Sequence, residues 1–177
     1  TRACSYLAAL GSDVADEAVG LAADFDALAS AVRNDEQAAV LLNEYLNQWM
    51  SGMNKMRWRD LELPVRSWGM EQAPRMLSGN TALAWASRWS SLRRLSAPQP
   101  GDKWTALSAY LRQRGLAPAA DALEADVTAA DGALRGATAT TPPDRLLAAA
   151  RAVDTVTHTL SKDVAAGLAV QLEFSAD

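Results

Sequence analysis

Apolar residues at Ala3, Leu7, Leu10, Val14, Ala18, Leu21, Phe25, Leu28 and Val32 recur at steps of three and four. That spacing predicts an amphipathic helix of about eight turns, roughly 45 Å long. Asp13, Asp16, Glu17, Asp24 and Asp26 fall off the stripe. Gly11 and Gly20 lie inside this helix, at a propensity cost of about 1 kcal/mol each, and leave room for a close helix–helix approach. Asn34 with Gln37 three residues on has the spacing of an N-cap and its capping-box partner. A second helix then runs over 35–59, with Ala38, Leu41, Leu42, Tyr45, Trp49, Met53 and Met56 on one face. The connection around Arg33 and Asn34 is short, which predicts antiparallel packing of the two helices. Leu10, Leu21, Phe25 and Leu41 are therefore expected to be buried.

Leu61-Glu62-Leu63-Pro64 is expected to end the second helix, because the residue before proline avoids the helical region. Residues 60–79 have no clean period, yet they carry Trp68, Met70, Met76 and Leu77, so an ordered excursion is expected. A third helix, capped by Ser78 or Asn80, carries Leu83, Trp85, Ala86, Trp89, Leu92 and Leu95. Arg93 and Arg94 in its last turn suit the helix dipole. Ala97-Pro98-Gln99-Pro100-Gly101 breaks it. Asp102 is placed to cap a short fourth helix with Trp104, Leu107, Tyr110 and Leu111, closed by Gly115. Pro118 opens a fifth helix with Ala122, Leu123, Val127, Ala130 and Leu134, and Pro142-Pro143-Asp144 opens a sixth. The sixth carries Leu146, Ala150, Val153, Thr157, Leu160, Val164 and Leu168, with Leu160 and Val164 expected in the core. Beyond it Leu168, Val170, Leu172 and Phe174 alternate with Ala169, Gln171 and Glu173, the period of an extended tail packed on one side. The pattern as a whole predicts an all-α fold: one domain over 1–177, an up-down antiparallel helical bundle with additional short helices and an extended C-terminal tail.

Charge adds a feature that periodicity does not. The net charge of −4 disfavours a general nucleic-acid binder. It divides into −6 over 1–48, +5 over 49–94 and −3 over 95–177. The basic middle also holds five of the six tryptophans and all five methionines. An aromatic joint with a basic rim is the candidate surface for a ligand or an interface, and Trp58, Arg59, Arg66, Trp68, Trp85, Arg88 and Trp89 are its candidate residues. Trp58 or Trp68 should then remain partly exposed, since apolar patches rimmed by charge mark contact sites. Against this stand plain alternatives. Arginines on a loop are commonly just solvated, and tryptophans four apart on a helix, as at 85 and 89, are more often core.

Candidate chemistry is sparse. His158 is the only histidine, with Asp154 one turn before it and Lys162 one turn after. A zinc site takes three or four ligands, so no metal residue is assigned. No catalytic residue is assigned either: there is no nucleophile elbow, glycine-rich phosphate loop or Cys-x-x-Cys. Cys4, the only cysteine, sits in an alanine-rich apolar pattern and cannot form an internal disulfide. No apolar run approaches the ~20 residues of a membrane span. Thr1-Arg2-Ala3 already lies in a helical pattern, which looks like an internal start.

Three stretches resemble one family. Ser78-Gly79-Asn80-Thr81-Ala82-Leu83-Ala84-Trp85, continuing to Leu92-Arg93-Arg94-Leu95, resembles a late helix of the imelysin-like peptidases. Leu160-Ser161-Lys162-Asp163-Val164-Ala165-Ala166-Gly167-Leu168-Ala169-Val170-Gln171-Leu172-Glu173-Phe174 is similar to the family's final helix and apolar tail. Tyr6-Leu7-Ala8-Ala9-Leu10 is similar to the first helix of its second half. The likeness covers nearly the whole chain, as the second half of a family member. The family's Gly-x-His-x-x-Glu signature does not occur here, because Val156 and Ser161 stand at the glycine and glutamate positions around His158.

The resemblance implies a periplasmic or cell-envelope protein of bacteria, tied to iron uptake or ligand binding. It implies the N-terminal half of the same protein, or another envelope protein, as partner. No cofactor is assigned to this chain, and a metal would come only with the missing half. Two other readings stay open: part of a metallopeptidase whose catalytic motif lies upstream of Thr1, and a structural or protein-interaction bundle.

Overall fold

A computed structural model describes residues 2–97 and 105–170. The chain is all-α, and no strand occurs among the described residues. The helices are α1 (Arg2–Ala31), α2 (Asp35–Lys55), α3 (Thr81–Ser96), α4 (Leu107–Gln113), α5 (Ala117–Leu134), α6 (Pro143–Thr159) and α7 (Ala165–Leu168). Three π-helical segments, Met56–Glu62, Pro64–Trp68 and Leu160–Val164, extend α2 and α6. Asp102, Trp104 and the alternating tail through Leu172 and Phe174 lie outside the described residues.

Contacts divide the chain into two compact units, Thr1–Leu42 and Asn43–Asp177. The first unit holds α1, a turn and the opening of α2. The turn forms as its residues dictate. Gln37 N–H donates to Asn34 Oδ1 at 2.9 Å, and Gln37 Oε1 accepts from Arg33 N–H at 2.8 Å. The reciprocal cap thus closes on the residue before the N-cap rather than on the N-cap itself.

The expected antiparallel burial of α1 does not occur. Leu10 is 47% exposed, Leu21 57% and Phe25 62%, and Leu41 is only half-buried. The reason lies in α2. Its large buried side chains, Leu46, Trp49, Met50 and Met53, all fall after Leu42. Within the first unit α2 offers chiefly Val40, itself exposed, and the half-buried Leu41 and Leu42. That is too little apolar surface to cover eight turns of stripe.

The second unit has a dense core. Leu46, Met50, Met53, Met56, Leu61, Leu111, Leu123, Leu146, Val153, Val156, Leu160 and Val164 are all fully buried. Each such side chain contributes about 1.5–3 kcal/mol from leaving water. α5 and α6 form its best-packed pair. Pro142 and Pro143 hold the start of α6, and Thr159 Oγ1 donates to Asp126 Oδ2 at 2.6 Å across the pair. α4 joins α5 through Arg112, which donates to both oxygens of Glu124 and to Asp121. Gly115, at φ 80°, turns the chain between them.

The helix after α2 also departs from expectation. It does not stop at Leu63 but winds on as π-helix through Pro64 to Trp68. Leu63 N–H donates to Trp58 O, an i to i−5 bond, and Pro64 brings no N–H of its own to satisfy. The wider turn puts residues five apart on one face, so Met56 and Leu61 are both fully buried. α6 packs on this segment. Of the excursion expected over 60–79, only the part after Trp68 leaves the helix: one short 3-10 turn, Met70–Gln72, follows Gly69 at φ 85°, and a second, Met76–Ser78, lies between Arg75 and Gly79, both at positive φ.

Candidate functional site

Two surfaces, one in each unit, could meet a partner. On α1 the exposed stripe runs through Leu7, Leu10, Val14, Leu21, Phe25 and Leu28. At 100° per residue, Asp13, Glu17 and Asp24 fall along one edge of that stripe, three or four residues from its members. The other edge is small: Gly11, Ala15, Ala22 and Ala29. A Cβ added at Gly11 would meet nothing. The first unit carries two arginines against seven acids, a net −5 over 1–42. A stripe ~10 Å wide on a helix ~45 Å long covers on the order of 450 Å², a size at which an exposed patch is often functional.

The second surface is the aromatic, basic middle, and the structure separates its candidate residues. Trp85 and Trp89 lie on the inward face of α3 and are buried. Trp58, on the π-helical turn, is 49% exposed beside exposed Arg59. Arg66 is exposed and pairs with Glu62 at 3.3 Å. The side chain of Trp68 lies outside the described residues. Arg88 reaches from α3 to the buried carboxylate of Asp60. That ion pair is structural in position, since it ties α3 to the segment that carries Trp58. Arg57 takes the carboxylate of Asp154, the acid that sequence spacing had placed beside His158. Among the described residues no group of three or more His, Cys, Asp or Glu side chains converges. No helix among them is long and apolar enough to cross a membrane.

A groove of about 480 Å³ opens between α3 and the end of α5. Trp85 and Trp89 line it, and Arg93, Asp131 and Arg135 surround its polar part. Asp131 Oδ1 accepts from Trp89 Nε1 at 3.1 Å and lies 3.5 Å from Arg93 Nη1, while Arg135 Nη2 sits 3.5 Å from Asp131 Oδ2. Sequence reasoning named the two tryptophans but not this polar cluster. One part was visible in advance: Asp131 and Arg135 are four apart on α5, the spacing of a helical ion pair. The approach of Arg93 and Trp89 from another helix had no local signature.

Compared with family models, with curated proteins and with solved structures, the chain matches none.

Proposed function

We propose that this chain is the second helical bundle of an imelysin-like envelope protein and works by docking, without catalytic residues of its own. The single observation that carries the docking reading is the uncovered stripe of α1. A soluble protein gains by burying such a stripe, and a helix laid into it is a common solution. The occupant is a helix of a companion bundle, apolar along one face and basic along one edge. The basic edge would meet Asp13, Glu17 and Asp24, and the apolar face would close on the small edge at Gly11, Ala15 and Ala22. The net charge of the first unit disfavours a second α1, which would set acids against acids. The motifs at 78–95 and 160–174 support the family, and with it an envelope location and a part in ligand binding or iron uptake.

Calorimetric titration of the purified chain with a first-half bundle carrying Gly-x-His-x-x-Glu tests this. Micromolar binding is expected, weakened at least about tenfold by Phe25→Asp and by joint reversal of Asp13, Glu17 and Asp24 to lysine. No binding, or binding indifferent to both changes, would overturn it. So would a dimer of the chain alone that Phe25→Asp dissolves, which would make a second copy the occupant.

A further inference from the structure

The groove between α3 and α5 has a composition that the docking of α1 does not explain, and it lies wholly in the second unit. Its floor is apolar and aromatic. Trp85 and Trp89 are almost wholly buried, yet both line the groove. Trp89 has an acceptor for its indole N–H in Asp131, but the buried Nε1 of Trp85 has none. A buried N–H without a partner costs about 1–3 kcal/mol, so α3 keeps an unsatisfied donor in its inward face.

The polar side of the groove is unbalanced. Two guanidiniums, of Arg93 and Arg135, share the one carboxylate of Asp131. Both approach it at 3.5 Å, the outer limit of a hydrogen bond. Each guanidinium has five N–H donors in a fork that suits a carboxylate, and Asp131 occupies few of them. One positive charge is left over. After α5 the chain turns through Gly136 at φ 70°, and Gly136 and Thr138 add to the lining of the groove.

From this we infer that the α3–α5 groove binds a small organic carboxylate, with a flat or aliphatic body lying over Trp85 and Trp89 and the carboxylate held by Arg93 and Arg135. The volume falls within the usual range for small-molecule sites, about 300–1,000 Å³. The excess positive charge of Arg93 and Arg135 over Asp131 disfavours a cationic ligand. Asp131 sets the affinity from the other direction: it positions the two arginines and competes with the ligand for them.

Titration of the chain with 3-phenylpropionate, followed by NMR of the tryptophan indole N–H signals, tests the site. Saturable shifts of the Trp85 and Trp89 signals are expected, with Kd about 1 mM. The neutral 3-phenylpropionamide should give none. Arg93→Gln with Arg135→Gln should weaken binding at least about tenfold. Asp131→Asn keeps an acceptor for Trp89 but frees both arginines, and should tighten binding about threefold. The Asp131→Asn result and the comparison of acid with amide stand even where the double variant folds poorly. Absence of saturation, equal binding of acid and amide, or a Kd unmoved or weakened by Asp131→Asn would overturn the assignment.

Discussion

Arg88 on α3 and Asp60 on the π-helical turn form an ion pair in which the Asp60 side chain is almost fully buried while the Arg88 side chain is 38% exposed. Arg88 takes Oδ2, and the buried Oδ1 has no hydrogen-bond partner. Arg88 is therefore the main compensation for a charge taken out of solvent. Arg88→Met should destabilise the second unit by roughly 2–4 kcal/mol, because it leaves that charge buried and unpaired. Adding Asp60→Asn to the same variant should restore much of the loss. Urea unfolding of the two variants measures both effects, and equal losses would mean that the pair is not what holds this contact.

Leu160 is fully buried at the start of the last π-helical segment. Leu160→Ala should cost about 2–5 kcal/mol, set by how far the site collapses. Thermal unfolding checks it. A cost below about 0.5 kcal/mol would place Leu160 outside the core.

Tyr45 stacks at a tilt on Trp49 and donates to Leu95 O at 3.4 Å. Burial pushes its phenol up to about 12. The folded state therefore favours the protonated phenol. That stability is fully present below about pH 10, the ordinary tyrosine value, and is lost as pH rises from there through about 12. An ultraviolet titration of tyrosinate should show a late-ionising component that Tyr45→Phe removes.

Glu124 behaves oppositely. The hydrogen bonds from Arg112, opposed by partial burial, hold its carboxyl below the usual carboxylate range. Its stabilising effect is present above about pH 4.5 and is lost as pH falls through the lowered value. The pair is well exposed, so the effect is small. Glu124→Gln should flatten the acid limb of stability against pH slightly.

Local signals in the sequence were followed closely. The Asn34 side-chain cap on Gln37 N–H, Pro118 and Pro143 in first turns, and Gly115 as a stop all act through neighbours in the chain and form where expected, while the return bond of Gln37 shifts by one residue to Arg33. The π-helical run through Pro64 was hidden because its cause is tertiary: packing of α6 against Met56–Glu62 favours a five-residue repeat that no local propensity encodes. The α1 stripe was legible as a helix but not as an exposed one. Periodicity shows that a face wants cover and is silent on what supplies it. The same holds for the site. Trp85 and Trp89 could be named from spacing, whereas Asp131, contributed by another helix, could not.

On the proposed docking role, the α1 stripe serves a partner and not the core of this chain. Denaturant unfolding of Leu21→Asp with Phe25→Asp, followed by near-ultraviolet circular dichroism, tests it most directly. The account predicts an unfolding transition for residues 43–177 unchanged within about 0.5 kcal/mol, since both side chains are exposed. A loss of several kcal/mol would show that the stripe is buried within the chain itself and would contradict the account.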